Sequence, residues 1–233
     1  MKTLTLSRFL THAALLVAMA GTASDAPAES VTVRDGQLLL MKTGVPDEVV
    51  TNQLDLSASI TVFTNATFAV AKGRPRALSA GEILDSNGLL TKASGAVGPV
   101  EDHYAMIKGK MHLVADGVTT PINRTVRCAN GTTITPQGLI NTPKGVSTRV
   151  QDGQWFKLDG TTIAARDSIT LIQGKVVVQK DGTLLTIAPG RIIYMSDGTK
   201  VSGDGTYTKR GRNAVKLKEG EVVLIQGPIQ RDI

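Results

Sequence analysis

The sequence predicts an all-β protein built from three tandem small β modules of short antiparallel strands and hairpins, packed against each other. Three observations predict this class. Short runs rich in Val, Ile and Thr are separated by turn residues along most of the chain. No segment beyond the N-terminal region keeps an apolar period of 3.6 residues over three turns. Asp-Gly and Asn-Gly pairs return at nearly fixed spacing, and such pairs favour tight hairpin turns because they tolerate positive φ.

The N-terminus has the pattern of an export signal. Two basic residues, Lys2 and Arg8, precede an apolar stretch over 13–20 and a cluster of small residues. The apolar stretch is too short to span a bilayer, and no second long apolar segment follows it. We therefore predict a signal peptide over 1–23, a short linker over 24–29, and an exported mature chain, periplasmic or extracellular, without a transmembrane segment.

Charge and cysteine content restrict the function classes. Without the signal peptide the chain loses two of its 26 basic residues and none of its 20 acidic ones, which leaves a net charge of +4. This modest excess attracts polyanions weakly and falls short of the dense basic footprint of a nucleic-acid binder, so we predict no nucleic-acid partner. Cys128 is the only cysteine, so the chain has no internal disulfide. We expect Cys128 to be a small buried residue within a strand.

Matched turn residues indicate that a β module has been duplicated. The matches lie 65 to 67 residues apart: Asp116-Gly117 with Asp181-Gly182, Asn130-Gly131-Thr132 with Asp197-Gly198-Thr199, and Gln137-Gly138 with Asp204-Gly205. We predict a degenerate β module over 30–98, a second module over 99–164 and a third over 165–230. The segment Ala93–Pro99, rich in small residues, is expected to be a linker between the first two modules.

The first module matches the others only in part. Three segments carry the match: Asp35–Met41 with Lys108–Val114, Asn65-Ala66-Thr67 with Asn130-Gly131-Thr132, and Leu78–Leu84 with Leu217–Val223. A module of about 65 residues buries a modest fraction of its chain and is marginally stable alone. We therefore expect the modules to pack on one another and to share core residues.

The repeat resembles a family of small exported bacterial proteins that is described only as a domain of unknown function. The second module carries the resemblance through Gly109-Lys110-Met111, Asp116-Gly117, Thr120-Pro121, Asn130-Gly131-Thr132, Gln137-Gly138 and Val150–Gly153, and the third through Gly174-Lys175, Asp181-Gly182, Asp197-Gly198-Thr199, Asp204-Gly205 and Leu217–Gly220. The resemblance implies a location outside the cytoplasm and a β-repeat architecture. It supplies no catalytic residue.

The sequence offers little for an enzyme. The mature chain has two histidines, His103 and His112, and no Ser lies in a Gly-x-Ser-x-Gly elbow. No phosphate loop or dinucleotide fingerprint is present. We expect His103 to lie in an exposed segment that leads into a strand and His112 on a strand face beside Leu113. The prediction is a protein that is not an enzyme and has no cofactor.

A metal site is the alternative interpretation. Five soft or borderline ligands fall in the second module: His103, Met106, Met111, His112 and Cys128. Such a set suits Cu(I) or, less well, Zn(II), but its spacing matches no standard ligand motif. We therefore predict no metal ligand. A periplasmic copper- or zinc-binding protein is kept as the alternative function.

A basic cluster near the C-terminus is the candidate contact for a polyanion. Five cations fall within ten residues: Lys209, Arg210, Arg212, Lys216 and Lys218. This cluster suits an anionic surface such as a lipid head group or an acidic glycan, whereas a solvated loop explains the same residues without a ligand. The one large aromatic pair is Trp155-Phe156, of which one side chain should face inward and one outward on a strand. We expect this pair to pack between modules.

These observations favour a non-enzymatic structural or interaction protein of the bacterial cell envelope. Repeated modules present repeated surface, which offers avidity or a scaffold. The expected partner is an envelope or extracellular polymer or protein.

Overall fold

The fold was analysed in a computed structural model that describes residues 29–42, 44–71, 73–163, 167–180 and 182–225. All regular elements within these ranges are β-strands, and the strands form small antiparallel sheets, which confirms the all-β prediction. The same ranges contain no helix long and apolar enough to cross a membrane. The predicted signal peptide and almost all of the predicted linker lie outside the described residues.

Ten strands over residues 30–99 form two sheets. They are β1 (Ser30–Arg34), β2 (Gln37–Met41), β3 (Glu48–Val49), β4 (Leu54–Ser57), β5 (Ile60–Phe63), β6 (Thr67–Val70), β7 (Arg76–Ala77), β8 (Ile83–Asp85), β9 (Leu89–Thr91) and β10 (Val97–Pro99). One sheet has the order β10-β9-β8-β1-β2-β3, and the other is the meander β4-β5-β6-β7. We call residues 30–99 the first unit.

Nine strands over residues 103–163 repeat this arrangement. They are β11 (His103–Ile107), β12 (Lys110–Ala115), β13 (Val118–Pro121), β14 (Val126–Arg127), β15 (Thr133–Ile134), β16 (Leu139–Asn141), β17 (Ser147–Arg149), β18 (Trp155–Lys157) and β19 (Thr162–Ile163). The sheets are β13-β12-β11-β18-β19 and β14-β15-β16-β17. We call residues 103–163 the second unit.

Eight strands over residues 167–225 repeat it again. They are β20 (Asp167–Ile172), β21 (Lys175–Lys180), β22 (Thr183–Ile187), β23 (Ile192–Tyr194), β24 (Lys200–Ser202), β25 (Thr206–Thr208), β26 (Val215–Lys216) and β27 (Val222–Ile225). The sheets are β22-β21-β20-β27 and β23-β24-β25-β26. We call residues 167–225 the third unit.

The three units share one strand-pairing pattern. In each, three strands form a meander, the next four form a second meander, and the eighth returns to pair antiparallel with the first. Each unit encloses its own apolar core between its two sheets, so the units are separate bodies and not one continuous stack. Fully buried side chains from both sheets meet there, such as Val31 with Val62 in the first unit and Val178 with Val201 in the third.

The first hairpin of every unit closes through the same kind of two-residue turn. Asp35-Gly36, Lys108-Gly109 and Gln173-Gly174 each have two residues with positive φ, at 52° and 76°, 49° and 73°, and 52° and 69°. This is the geometry of a type I′ turn, whose twist matches that of the flanking strands. The predicted match between Asp35–Met41 and Lys108–Val114 therefore joins segments that occupy the same hairpin.

The turn before each returning strand is also repeated. In each unit a Gly with positive φ precedes a Glu or Gln whose side chain accepts a hydrogen bond from the backbone N–H three residues earlier. These bonds run from Ser79 to Glu82 at 3.0 Å, from Gln151 to Gln154 at 2.8 Å, and from Lys218 to Glu221 at 2.9 Å. The acceptor satisfies a backbone donor that the sheet leaves unpaired, so the turn is fixed by its own sequence.

Two sequence predictions about the first unit are wrong. Asn65 lies between β5 and β6, whereas Asn130 lies between β14 and β15, which is one hairpin earlier in the pattern. The Asn65 turn therefore corresponds to Gln137-Gly138. The predicted linker Ala93–Pro99 is the turn and second strand of the β9–β10 hairpin, and Val97 within it is buried.

A fourth apolar cluster joins the three units, and we call it the junction. It contains Leu89 and Val97 of the first unit, Ala105 and Trp155 of the second, and Val222 of the third packed against them. These side chains lie on the sheet faces that point away from each unit's own core. The expectation that the Trp-Phe pair packs between units is met by Trp155, while Phe156 faces the core of the second unit.

One polar contact reinforces the junction, and another lies beside the core of the first unit. The backbone N–H of Val97 donates to Oε1 of Gln179 in the third unit at 3.2 Å. Beside the core of the first unit, Nη2 of Arg76 donates to the carbonyl of Val100 at 2.5 Å, and the Arg76 guanidinium lies 5.0 Å from the centre of the Phe68 ring. Such bonds satisfy groups that the packing removes from water, which an apolar contact alone would leave unpaired.

Candidate functional site

The predicted polyanion residues lie together on the third unit. Lys209, Arg210 and Arg212 occupy the connection between β25 and β26, Lys216 lies in β26, and Lys218 follows it. All five side chains are exposed, as is that of Lys200 on β24. We call these six cations the basic surface.

The strand register places two rows of side chains beside the basic surface. One row begins at an aromatic residue and the other at an aliphatic residue. Tyr194 pairs with Lys200, which pairs with Thr208, so these three side chains form one row across the sheet. Ile192 pairs with Ser202 on the same face, because residues two apart along a strand point to one side. With strands about 4.8 Å apart, the row from Tyr194 to Thr208 spans roughly 10 Å.

Thr206 and Lys216 extend the same face to the last strand of the sheet. Val201 lies on the opposite face and is fully buried in the core of the unit. The outer face of this sheet therefore presents hydroxyl groups, amines and one aromatic ring to solvent, and we call it the outer face.

The acidic side chains around the basic surface bind backbone groups. Oδ1 of Asp204 accepts from the N–H of Thr206 at 2.8 Å, and the hydrogen bonds from Thr206 hold the pKa of Asp204 below its usual range. Glu219 accepts from the N–H groups of Gln173 and Gly174. The four ion pairs found between described residues all lie between residues 29 and 157, outside the third unit.

Nζ of Lys216 donates to the backbone carbonyl of Asp204, and the charge of Lys216 is among the smaller causes that lower the pKa of the Asp204 carboxyl. The basic surface therefore carries a positive field that a dissolved polyanion can meet.

The equivalent sheets of the other units differ in charge. In the first unit the rows of this face are Asp55 with Thr61 and Phe63 with Thr67, and they contain no cation. In the second unit the face carries two, Arg127 and Arg149, both exposed. The strand positions of this face therefore carry two cations in the second unit and two, Lys200 and Lys216, in the third, and the third unit adds Lys209, Arg210 and Arg212 in the β25–β26 connection.

The five candidate metal ligands are divided between the two sides of the sheet that contains β11 and β12. Met106 pairs with Met111, and both enter the core of the second unit together with Cys128. His103 and His112 lie on the other face, because their partners in the register are Val114 and Ala105. Among the described residues no group of three or more His, Cys, Asp or Glu could hold a metal ion.

Cys128 is buried, as expected, but it directly follows β14 and is not within a strand. Burial raises the pKa of its thiol, with a smaller contribution from Asp159. A protonated thiol is a poor ligand and a poor nucleophile. Cys128 therefore functions as a core residue in this structure.

His103 contradicts the expectation of an exposed position, since only 4% of its surface is accessible. It begins β11 on the face that points to the junction, and its ring meets that of Trp155 edge-on at 6.3 Å between centroids. Its Nδ1–H donates to the carbonyl of Glu101 at 2.7 Å, which requires the neutral ring to carry its proton there. Local sequence could not reveal this burial because the covering groups come from other parts of the chain.

Burial lowers the pKa of His103, and Arg76 lowers it further, whereas the hydrogen bond to Glu101 and the charge of Asp102 raise it. Below about pH 6.5 the unfolded chain then binds more protons at this residue than the folded chain does. We expect the free energy of unfolding to fall as the pH drops from 7 to 5, and this fall to shrink in His103→Gln. Urea unfolding at a series of pH values measures the slope.

His112→Gln is the control for that experiment, since His112 is more exposed than His103, and the fall should shrink more in His103→Gln than in this control. Burial raises the pKa of the Asp85 carboxyl, so its titration changes the free energy of unfolding in the opposite direction. Asp85 is present in wild type and in both variants, so its contribution cancels when their slopes are compared. Equal slopes for wild type and His103→Gln would show that His103 is not buried at the junction.

Tyr194 and Ile192 were not part of the predicted site. The Asp197-Gly198 turn was the signal that could have located them, because a hairpin closed there places Tyr194 opposite Lys200. The cluster of cations was visible in the sequence, but the face beside it required the register.

The geometry defines a class of protein: an array of small two-sheet β units with a cationic outer face on the last unit. The chain belongs to the family described as Domain of unknown function (DUF6799), whose model matches residues 101–162 and 166–229. These two matches cover the second and third units, so the domain is repeated in this chain. No curated protein and no solved structure matches the chain.

Proposed function

We propose that this chain is an exported, non-enzymatic structural or interaction protein of the bacterial cell envelope. The observation that carries the proposal is the basic surface, where exposed cations gather on a folded sheet while nearby carboxylates bind backbone groups. Such a surface attracts an anionic partner, and the junction would hold it at a fixed position relative to the other two units.

Export is tested by the mass and the compartment of the protein in a bacterial host. We expect the full chain to yield a mature form that lacks residues 1–23 and appears outside the cytoplasm. A chain that keeps these residues and stays in the cytoplasm would contradict the proposal.

The role of the basic surface is tested by salt elution from a sulfonate matrix. Lys209→Ala with Arg212→Ala should lower the salt needed for elution more than Arg127→Ala with Arg149→Ala, because both pairs remove two exposed charges but only the first lies on the basic surface. Equal elution of the two double variants would mean that net charge alone governs retention.

A periplasmic copper- or zinc-binding protein is the second candidate, and it rests on the three sulfur-bearing side chains, Met106, Met111 and Cys128, in one core. Titration of the purified protein with Cu(I) and with Zn²⁺, repeated on Cys128→Ser, tests it. Stoichiometric binding that Cys128→Ser removes would support this candidate over the first.

A further inference from the structure

The outer face of the third unit has an unusual composition for a solvated sheet. Tyr194 is 62% exposed and Ile192 is 48% exposed, although both lie in a regular strand. Lys200 stands directly opposite Tyr194, and the hydroxyl groups of Ser202, Thr206 and Thr208 share the face. An exposed ring among amines and hydroxyls presents apolar, hydrogen-bonding and cationic groups together.

Each of these groups matches one part of an acidic sugar polymer. A tyrosine ring offers a rigid apolar surface on which the C–H face of a sugar ring can lie. Hydroxyl side chains donate to and accept from sugar hydroxyls. Lysine amines attract carboxylate groups without demanding one fixed geometry.

We propose that the outer face of the third unit binds an acidic polysaccharide, with Tyr194 under a sugar ring and Lys200 and Lys216 opposite its carboxylates. The inference rests on the proposed interaction function and specifies its partner. The chain of a polysaccharide would run across the strands, along the row that joins Tyr194 to Thr208 and toward Lys209 at the end of β25.

The same face is less suited to other polyanions. A single-stranded nucleic acid is held by successive stacking aromatics, and this face offers one ring. Arg210 and Arg212 stand in the connection beyond the sheet, so the sheet itself carries only lysines. A membrane surface would require a protruding apolar patch, whereas Tyr194 and Ile192 lie within a flat row of hydroxyls and amines.

The test compares three polymers: polygalacturonate, polyphosphate and neutral dextran. We expect wild type to bind polygalacturonate more tightly than polyphosphate at equal charge concentration and to leave dextran unbound. Tyr194→Ala should weaken polygalacturonate binding roughly fivefold and leave polyphosphate binding unchanged, because only a sugar ring stacks on the aromatic face. Lys200→Ala with Lys216→Ala should weaken the binding of both anionic polymers.

Phe63→Ala is the matched control, since Phe63 is a partly exposed aromatic on the equivalent sheet of the first unit. It should bind all polymers like wild type. If Tyr194→Ala affects both anionic polymers equally or neither, the polysaccharide inference is wrong and an electrostatic surface remains. If wild type binds no anionic polymer at all, both the polysaccharide inference and the proposal of an anionic partner are wrong. Because Tyr194 is exposed, folding of its variant is readily checked by the emission of Trp155.

Discussion

Trp155→Ala should lower the free energy of unfolding by about 3 to 5 kcal/mol and divide the unfolding transition into separate steps. The side chain is 6% exposed and lies in the junction with Leu89, Val97 and Ala105. Truncation of a buried tryptophan removes its transfer free energy and leaves a cavity, and this range is typical of such changes. The cores of the three units do not contain Trp155, so each unit should keep its own fold when the junction fails.

Far-UV circular dichroism during urea unfolding measures this effect, because it follows all the sheets at once. Val118→Ala is the control, since Val118 is 64% exposed and its truncation should change stability by less than about 0.5 kcal/mol. A Trp155→Ala protein that unfolds in one step, with a loss similar to that of the control, would mean that the junction does not couple the units.

Gly203→Ala should cost about 3 kcal/mol, the upper end of the range for overpacking, although it adds a single methyl group. A Cβ at this position would lie 1.9 Å from the carbonyl oxygen of Ala188 and 3.0 Å from that of Ile187. Both contacts are with backbone, so no side chain can move aside. The chain between β22 and β23 would have to separate from the end of β24, where the N–H of Gly203 donates to the carbonyl of Arg191 at 2.9 Å.

The measurement is the thermal midpoint, which for a chain of this length should fall by roughly 6 to 12 °C. Gly98→Ala is the matched control, because neither glycine has positive φ and nothing lies within 4 Å of a Cβ at Gly98. Equal midpoints for the two variants would contradict the close approach of Gly203 to the β22–β23 connection.

Hairpins are the part of the fold that the sequence predicts best. Short runs rich in Val, Ile and Thr form strands, as Lys175–Lys180 and Ile60–Phe63 do, and the Asn130-Gly131 and Asp197-Gly198 turns occupy the same place in their units. The reason is physical, since two-residue turns depend on positive φ and thus on residue type. Alternation then fixes which side chains face the core.

Sequence reasoning failed where one turn resembles another or where distant segments meet. Asn65-Ala66-Thr67 and Asn130-Gly131-Thr132 have the same turn chemistry, so their positions in the pattern could not be separated without pairing. The small residues of Ala93–Pro99 resemble a linker, but Gly95 packs against Val177 of the third unit. His103 is buried by the same long-range packing.

The sequence predicted the cluster of cations at the candidate site but not the side chains that lie beside it on the folded sheet. The run from Lys209 to Lys218 is evident from composition alone, and the structure leaves its cations exposed. The position of Tyr194 depends on the pairing of β23 with β24, which places the ring beside Lys200. A cluster of charged residues can be seen in a short stretch of sequence, whereas the side chains that share one face of a sheet are known only once the pairing of the strands is known.

The most direct test of the account compares two probes of unfolding in the wild-type protein. Trp155 is the only tryptophan, so its emission reports on the junction alone, while far-UV circular dichroism reports on the sheets of all three units. If the junction holds the units in one cooperative body, the two urea transitions coincide in midpoint and slope. A Trp155 transition at clearly lower urea than the loss of β structure would show that the units associate only weakly, which contradicts the account.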